Sequence, residues 1–109
     1  MTLELPPLIT AFVAANNAHD TEAFLACFAP DAEVHDEGHA YRGLPAIKGW
    51  FLEVTRKYQF TLTVTELLVQ GGETILATQV AGDFPGSPIA LHYHLTIKRG
   101  AISTLTIGD

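Results

Sequence analysis

A single cysteine, Cys27, cannot close a disulfide within one chain, so nothing marks an extracellular disulfide framework. Nothing local supports a thiol nucleophile either, and Cys27 reads as a small buried apolar residue. Cations are scarce: six Lys and Arg stand against 12 Asp and Glu, a formal charge of −6. Arg42, Lys48, Arg56, Lys57, Lys98 and Arg99 are scattered. A nucleic-acid surface needs clustered cations to displace counterions, so nucleic acid and anionic membrane are poor partners. The longest apolar runs fall far short of the ~20 residues of a membrane helix. No N-terminal segment joins basic residues, an apolar run and a small-residue cleavage site, and a soluble, cytoplasmic protein is expected. The phosphate-binding Gly-rich loop, the G-x-S-x-G elbow and the Cys pairs of structural zinc are all missing.

What is present is apolar material. Of 109 residues, 48% are hydrophobic and 17% charged, the reverse of a disordered chain. The length suits one domain spanning 1–109. That domain holds more apolar residues than a lone small core obviously needs.

The first half reads as helix and the second as strand. After Pro6-Pro7, Leu8, Phe12 and Ala15 recur at helical spacing, with Ile9, Val13 and Asn16 beside them. Asp20 suits the N-cap of a second helix carrying Phe24, Leu25, Cys27 and Phe28, which Pro30-Asp31 is expected to end. A short strand Glu33–Asp36 turns at Glu37-Gly38 and returns through His39–Arg42. A third helix shows Ile47, Phe51, Val54 and Tyr58 on one face, with Trp50 next to it. From Phe60 the pattern alternates, slips in phase near Glu66 as a bulge would make it, and turns at Gly71-Gly72. Thr74–Phe84, Ile89–Ile97 and Ala101–Ile107 follow as strands. Helices followed by an antiparallel meander imply an α+β fold.

Chemistry concentrates around His35, Asp36, Glu37 and His39, close to Tyr41. On a strand, Asp36 shares the face of apolar Val34 and so points inward. There burial would raise its pKa, a useful state for a general base. The alternative is a structural Asp36 that caps turn amides at the strand end. His92 and His94 form an H-x-H pair able to share a metal, but Leu91, Tyr93 and Leu95 take the core side. The histidines then face outward, and no metal site is expected.

The run Asn17-Ala18-His19-Asp20-x-x-Ala23-Phe24-x-x-x-Phe28-Ala29-x-Asp31-Ala32-x-Val34-x-Asp36-x-Gly38, followed by Tyr41-x-Gly43-x-x-Ala46-Ile47, resembles the nuclear-transport-factor-2-like superfamily. Within it, the sequence is similar to the SnoaL-like group that includes polyketide cyclases and ketosteroid isomerases. The resemblance implies a cystatin-like cone: a curved antiparallel sheet around an apolar pocket, closed by three N-terminal helices. It implies a homodimer through the outer sheet face, with His92, His94 and Thr96 near the interface. Asp36 falls at the position of the isomerases' catalytic aspartate, which moves a proton between carbons beside a carbonyl. Their helix-1 oxyanion tyrosine is matched by Phe12, which has no donor, leaving Tyr93, Tyr41 or His39 to polarise the oxygen. The expected pocket walls are Phe12, Val34, Trp50, Phe51, Val80, Phe84 and Leu95. The implied activity is a cofactor-independent isomerase, cyclase or dehydratase acting on an apolar small molecule. The alternative is a non-catalytic ligand-binding or dimerising module of the same fold.

Overall fold

The computed structural model describes residues 4–108. Helix α1 (Pro7–Ala18) starts with proline in its first turn and ends at His19, whose φ of 53° is left-handed. Asp20 then caps α2 (Thr21–Leu25), its carboxylate accepting from the Ala23 N–H at 3.1 Å. Strands β1 (Phe28–Asp36) and β2 (His39–Arg42) form a hairpin, and α3 (Leu44–Tyr58) follows. The remaining strands are β3 (Thr61–Gln70), β4 (Glu73–Ala81), β5 (Ile89–Lys98) and β6 (Ala101–Gly108). They make one curved, unclosed six-stranded sheet in the order β2-β1-β6-β5-β4-β3. The fold is α+β and cystatin-like, as the resemblance implies.

Two local expectations fail. The second helix stops at Leu25, and Pro30 lies inside β1 rather than after a helix. The sheet is also not wholly antiparallel, because β1 runs parallel to β6. Pro30 has no N–H for a ladder, and the β1–β6 register shifts across that stretch, between Phe28 and Glu33. The phase slip in β3 corresponds to a register shift between Val64 and Glu66.

The concave face of the sheet packs against the helices over Phe12, Phe24, Phe51, Leu76, Leu95 and Leu105, all fully buried. Phe24 stacks on Phe51 with ring centroids 3.9 Å apart. The edge strand β3 is covered at its start by the end of α1. Asn17 accepts from the Leu62 N–H at 2.7 Å and donates to the Leu62 carbonyl at 3.0 Å, as a neighbouring strand would. The His19 ring meets the Phe60 carbonyl at 2.6 Å. At the far end of β4, a Cβ on Gly82 would lie 2.6 Å from the Tyr58 carbonyl oxygen and 2.9 Å from the Phe60 Cα. Only glycine lets the 82–88 loop dock there, with the Asp83 N–H donating to the same Tyr58 carbonyl.

Candidate active site

Between α3 and the concave sheet lies a cavity of about 310 Å³. At roughly 30 Å³ per molecule it equals about ten waters, the low end of the ligand-pocket range. Helix α3 presents two adjacent stripes. Ile47, Phe51 and Thr55 enter the core, while Trp50, Val54 and Tyr58, at i, i+4 and i+8, line the cavity. From β5, Ile89, Leu91 and Tyr93 line it at alternate positions, as strand geometry requires. Phe84 and Pro85 of the docked loop close one side, with Phe84 edge-on to Tyr58 at 5.8 Å.

Polar groups enter at few points. Asp36 ends β1 at the cavity, and the Trp50 indole N–H donates to its Oδ2 at 3.0 Å. Burial raises the Asp36 carboxyl above its ordinary value, the Trp50 hydrogen bond opposes this, and the neighbouring Glu37 charge adds to it. Glu37 also lines the cavity and stands at φ 51°, in a two-residue hairpin that requires left-handed backbone. Tyr93 is 4% exposed, and burial together with the Asp36 charge pushes its phenol far above the ordinary value. It is therefore a neutral hydroxyl at physiological pH, able to donate. Asn16, 2% exposed, lines the cavity from α1. Among the described residues no Lys, Arg or His lines this space.

The geometry sorts the residues expected from sequence. Asp36, Tyr93, Trp50, Val80 and Phe84 come together at the cavity. Phe12, Val34, Phe51 and Leu95 do not line it and are wholly buried in the core beneath. Tyr93 packs edge-on against Phe12 at 6.1 Å, so the tyrosine faces the cavity in its place. Tyr41 sits opposite Val34 on β2 and packs on Trp50 at 6.1 Å without reaching the cavity. His39 lies across the hairpin from Asp36 but is exposed, because β2 is a four-residue edge strand. Of the three candidate donors, only Tyr93 lines the site.

His92 and His94 sit 6.3 Å apart, with His94 bonded to Glu73 at 3.1 Å. Among the described residues no three His, Cys, Asp or Glu side chains gather as a metal site. Sequence reasoning did not place Asn16 at the site, and it named Glu37 in the polar cluster without assigning it to the cavity. Asn16 was detectable as a polar residue one turn after Phe12, on the same buried face of the helix.

The SnoaL-like domain matches residues 9–103. The chain belongs to the SnoaL-like family. A candidate polyketide cyclase from Sinorhizobium meliloti is 37% identical over 94% of each chain, with a TM-score of 0.90. A protein of ketosteroid isomerase-like fold from Catenulispora acidiphila is 21% identical, covering 97% of this chain and 87% of that one, with a TM-score of 0.84. An NTF2-like protein of unknown function from Cytophaga hutchinsonii is 17% identical over 100% and 95%, with a TM-score of 0.78. The last two likenesses speak to the fold alone. No curated protein matches the chain. SnoaL-like membership places the chain in the superfamily of isomerases and cyclases without choosing among their activities.

Proposed function

We propose that this SnoaL-like protein uses Asp36 as a general base on a small apolar ligand, removing a proton from the carbon beside a carbonyl. The observation that carries the reading is the Asp36 carboxyl itself, held by Trp50 at the end of an apolar cavity and raised in pKa by burial. A base works best when its pKa approaches the operating pH. The C–H bond breaks, its proton passes to Asp36, and its electron pair moves to the carbonyl oxygen. The neutral Tyr93 hydroxyl donates a hydrogen bond to that oxygen. Asp36 then returns the proton to another carbon in an isomerisation. In a cyclisation the carbanion attacks a second carbonyl and the alkoxide formed takes the proton back from Asp36; in a dehydration the carbanion expels a β-hydroxyl, which leaves as water with that proton. These steps use this chain's own side chains throughout.

One donor is a modest oxyanion hole, and loss of a donor commonly costs ~10²–10³ in rate. Phe12, where the resemblance expects a hydroxyl, therefore favours a second reading: a binding module for the same ligands without turnover. Deuterium exchange separates the two. With 2-tetralone in D₂O, a catalytic Asp36 accelerates exchange beside the carbonyl, and Asp36→Asn abolishes the acceleration while retaining binding. A binding module holds the ketone and leaves exchange at its solvent rate.

The same reading includes a homodimer through the outer sheet face. The outward residues of β3, β4 and β5 include Leu68, Ile75, Ala77 and Ala90, and Leu68 is 48% exposed. Such a face suits association with a second copy.

A further inference from the structure

We infer that Asn16 is a specificity-determining residue and that the ligand is a hydroxylated cyclic ketone, its hydroxyl donating to Asn16 Oδ1 and its carbonyl accepting from Tyr93. The inference rests on the proposed carbonyl chemistry and names its substrate class.

The Asn16 side chain has one possible orientation. Its Nδ2 lies 2.8 Å from the Phe12 carbonyl, which can only accept. Turning the amide over would set two acceptors against each other, so nitrogen faces Phe12 and Oδ1 faces away. Neither Oδ1 nor the Tyr93 hydroxyl has a protein partner among the described residues. Among those residues no enclosed side-chain N or O goes unpartnered, so both atoms reach open space. The space both residues line is the cavity.

These two groups are held rigidly, since Asn16 and Tyr93 are both more than nine-tenths buried. One is an obligate acceptor and the other a ready donor, in a cavity whose further polar groups are Asp36, Glu37 and Tyr58 and whose apolar walls include Trp50, Val54, Phe60, Leu91 and Ile107. A ligand without a donor would cover Oδ1 with carbon and leave a desolvated acceptor unpaired. Sites of this kind reject the analogue lacking the hydroxyl more strongly than apolar sites reject an extra one. About ten waters of space corresponds to a ligand of one or two rings.

The test uses 2-tetralone and 6-hydroxy-2-tetralone, a pair differing by one hydroxyl. Trp50 is the only tryptophan and lines the cavity, so its fluorescence reports binding directly. The unmodified protein is expected to bind the hydroxylated ketone about 5- to 150-fold more tightly, the range for satisfying a buried acceptor. Asn16→Leu should bring that ratio near one. Tyr93→Phe should weaken both ketones alike, because the carbonyl is common to them. Equal affinities in the unmodified protein overturn the inference, with no variant needed. So does an unchanged ratio in Asn16→Leu, loss of the ratio in Tyr93→Phe, or binding of neither ketone at millimolar concentration. Asp36-dependent exchange without discrimination defeats this inference alone. Discrimination without exchange defeats the general-base reading alone.

Discussion

The end of α1 holds the edge of the sheet that carries one cavity wall, and Asn17→Ala tests that attachment. Asn17 supplies both an acceptor and a donor to Leu62, at 2.7 and 3.0 Å, on the side of β3 that no strand covers. Alanine removes two hydrogen bonds worth about 0.5–1.5 kcal/mol each and leaves a partly buried amide and carbonyl without partners. The expected loss is about 1–3 kcal/mol. In a domain near this size that lowers Tm by roughly 4–8 °C per kcal/mol. Urea unfolding followed by circular dichroism measures it, with the m-value unchanged if only the native state loses contacts. Amide exchange adds a local readout, since the Leu62 N–H should lose protection while the β4–β5 ladder keeps it. Because Phe60 lines the cavity two residues earlier, affinity for an apolar ketone should also fall. A loss under about 0.5 kcal/mol, the usual range for an ordinary surface change, would rule out Asn17 as the attachment of the β3 edge. It would mean that solvent satisfies the β3 edge as well as Asn17 does.

Three further outcomes follow from the same geometry. Gly82→Ala drives a Cβ into the Tyr58 carbonyl and should destabilise by about 1–3 kcal/mol, with weaker ketone binding as the Phe84 loop shifts; calorimetry and Trp50 fluorescence check both. Asp36→Asn should raise Tm at pH 7, because folding raises the Asp36 pKa and so disfavours its ionised form. The native state then binds more protons than the unfolded chain just above the ordinary carboxylate value, so stability falls as pH rises through the raised pKa. The gain should shrink as pH drops below that window, and a constant or absent gain argues against a strained carboxylate. Ile75→Lys on the outer sheet face should convert a dimer to monomer in sedimentation equilibrium, and an unmodified protein that sediments as a monomer refutes the proposed interface.

The helical and strand halves were legible because their apolar periods differ, 3.6 against 2, and those periods survive into the structure at α3 and β5. Asp20 as a cap and the bulge before Glu66 were legible for the same reason, each being a local signal. Pro30 misled because proline ends helices more often than it enters strands, and the parallel β1–β6 pairing has no local signature. At the site, alternation placed Asp36 and Tyr93 on inward faces. It did not tell a cavity wall from the core behind it, since Phe12 and Tyr93 are equally apolar choices until their edge-on packing decides which is in front. Trp50, beside the expected face of α3, marks the second stripe that lines the cavity. Hence the apolar surplus of the composition divides between a core and a wall around empty space.

The proposed role of Asp36 is to take a proton from carbon. Its most direct test is deuterium incorporation beside the carbonyl of bound 2-tetralone, measured by NMR across pH for the unmodified protein and Asp36→Asn. With Asp36 as the base, exchange is accelerated, rises with pH through the Asp36 pKa and disappears in Asp36→Asn while binding persists. Equal exchange in both proteins, with the ketone bound in each, would contradict it.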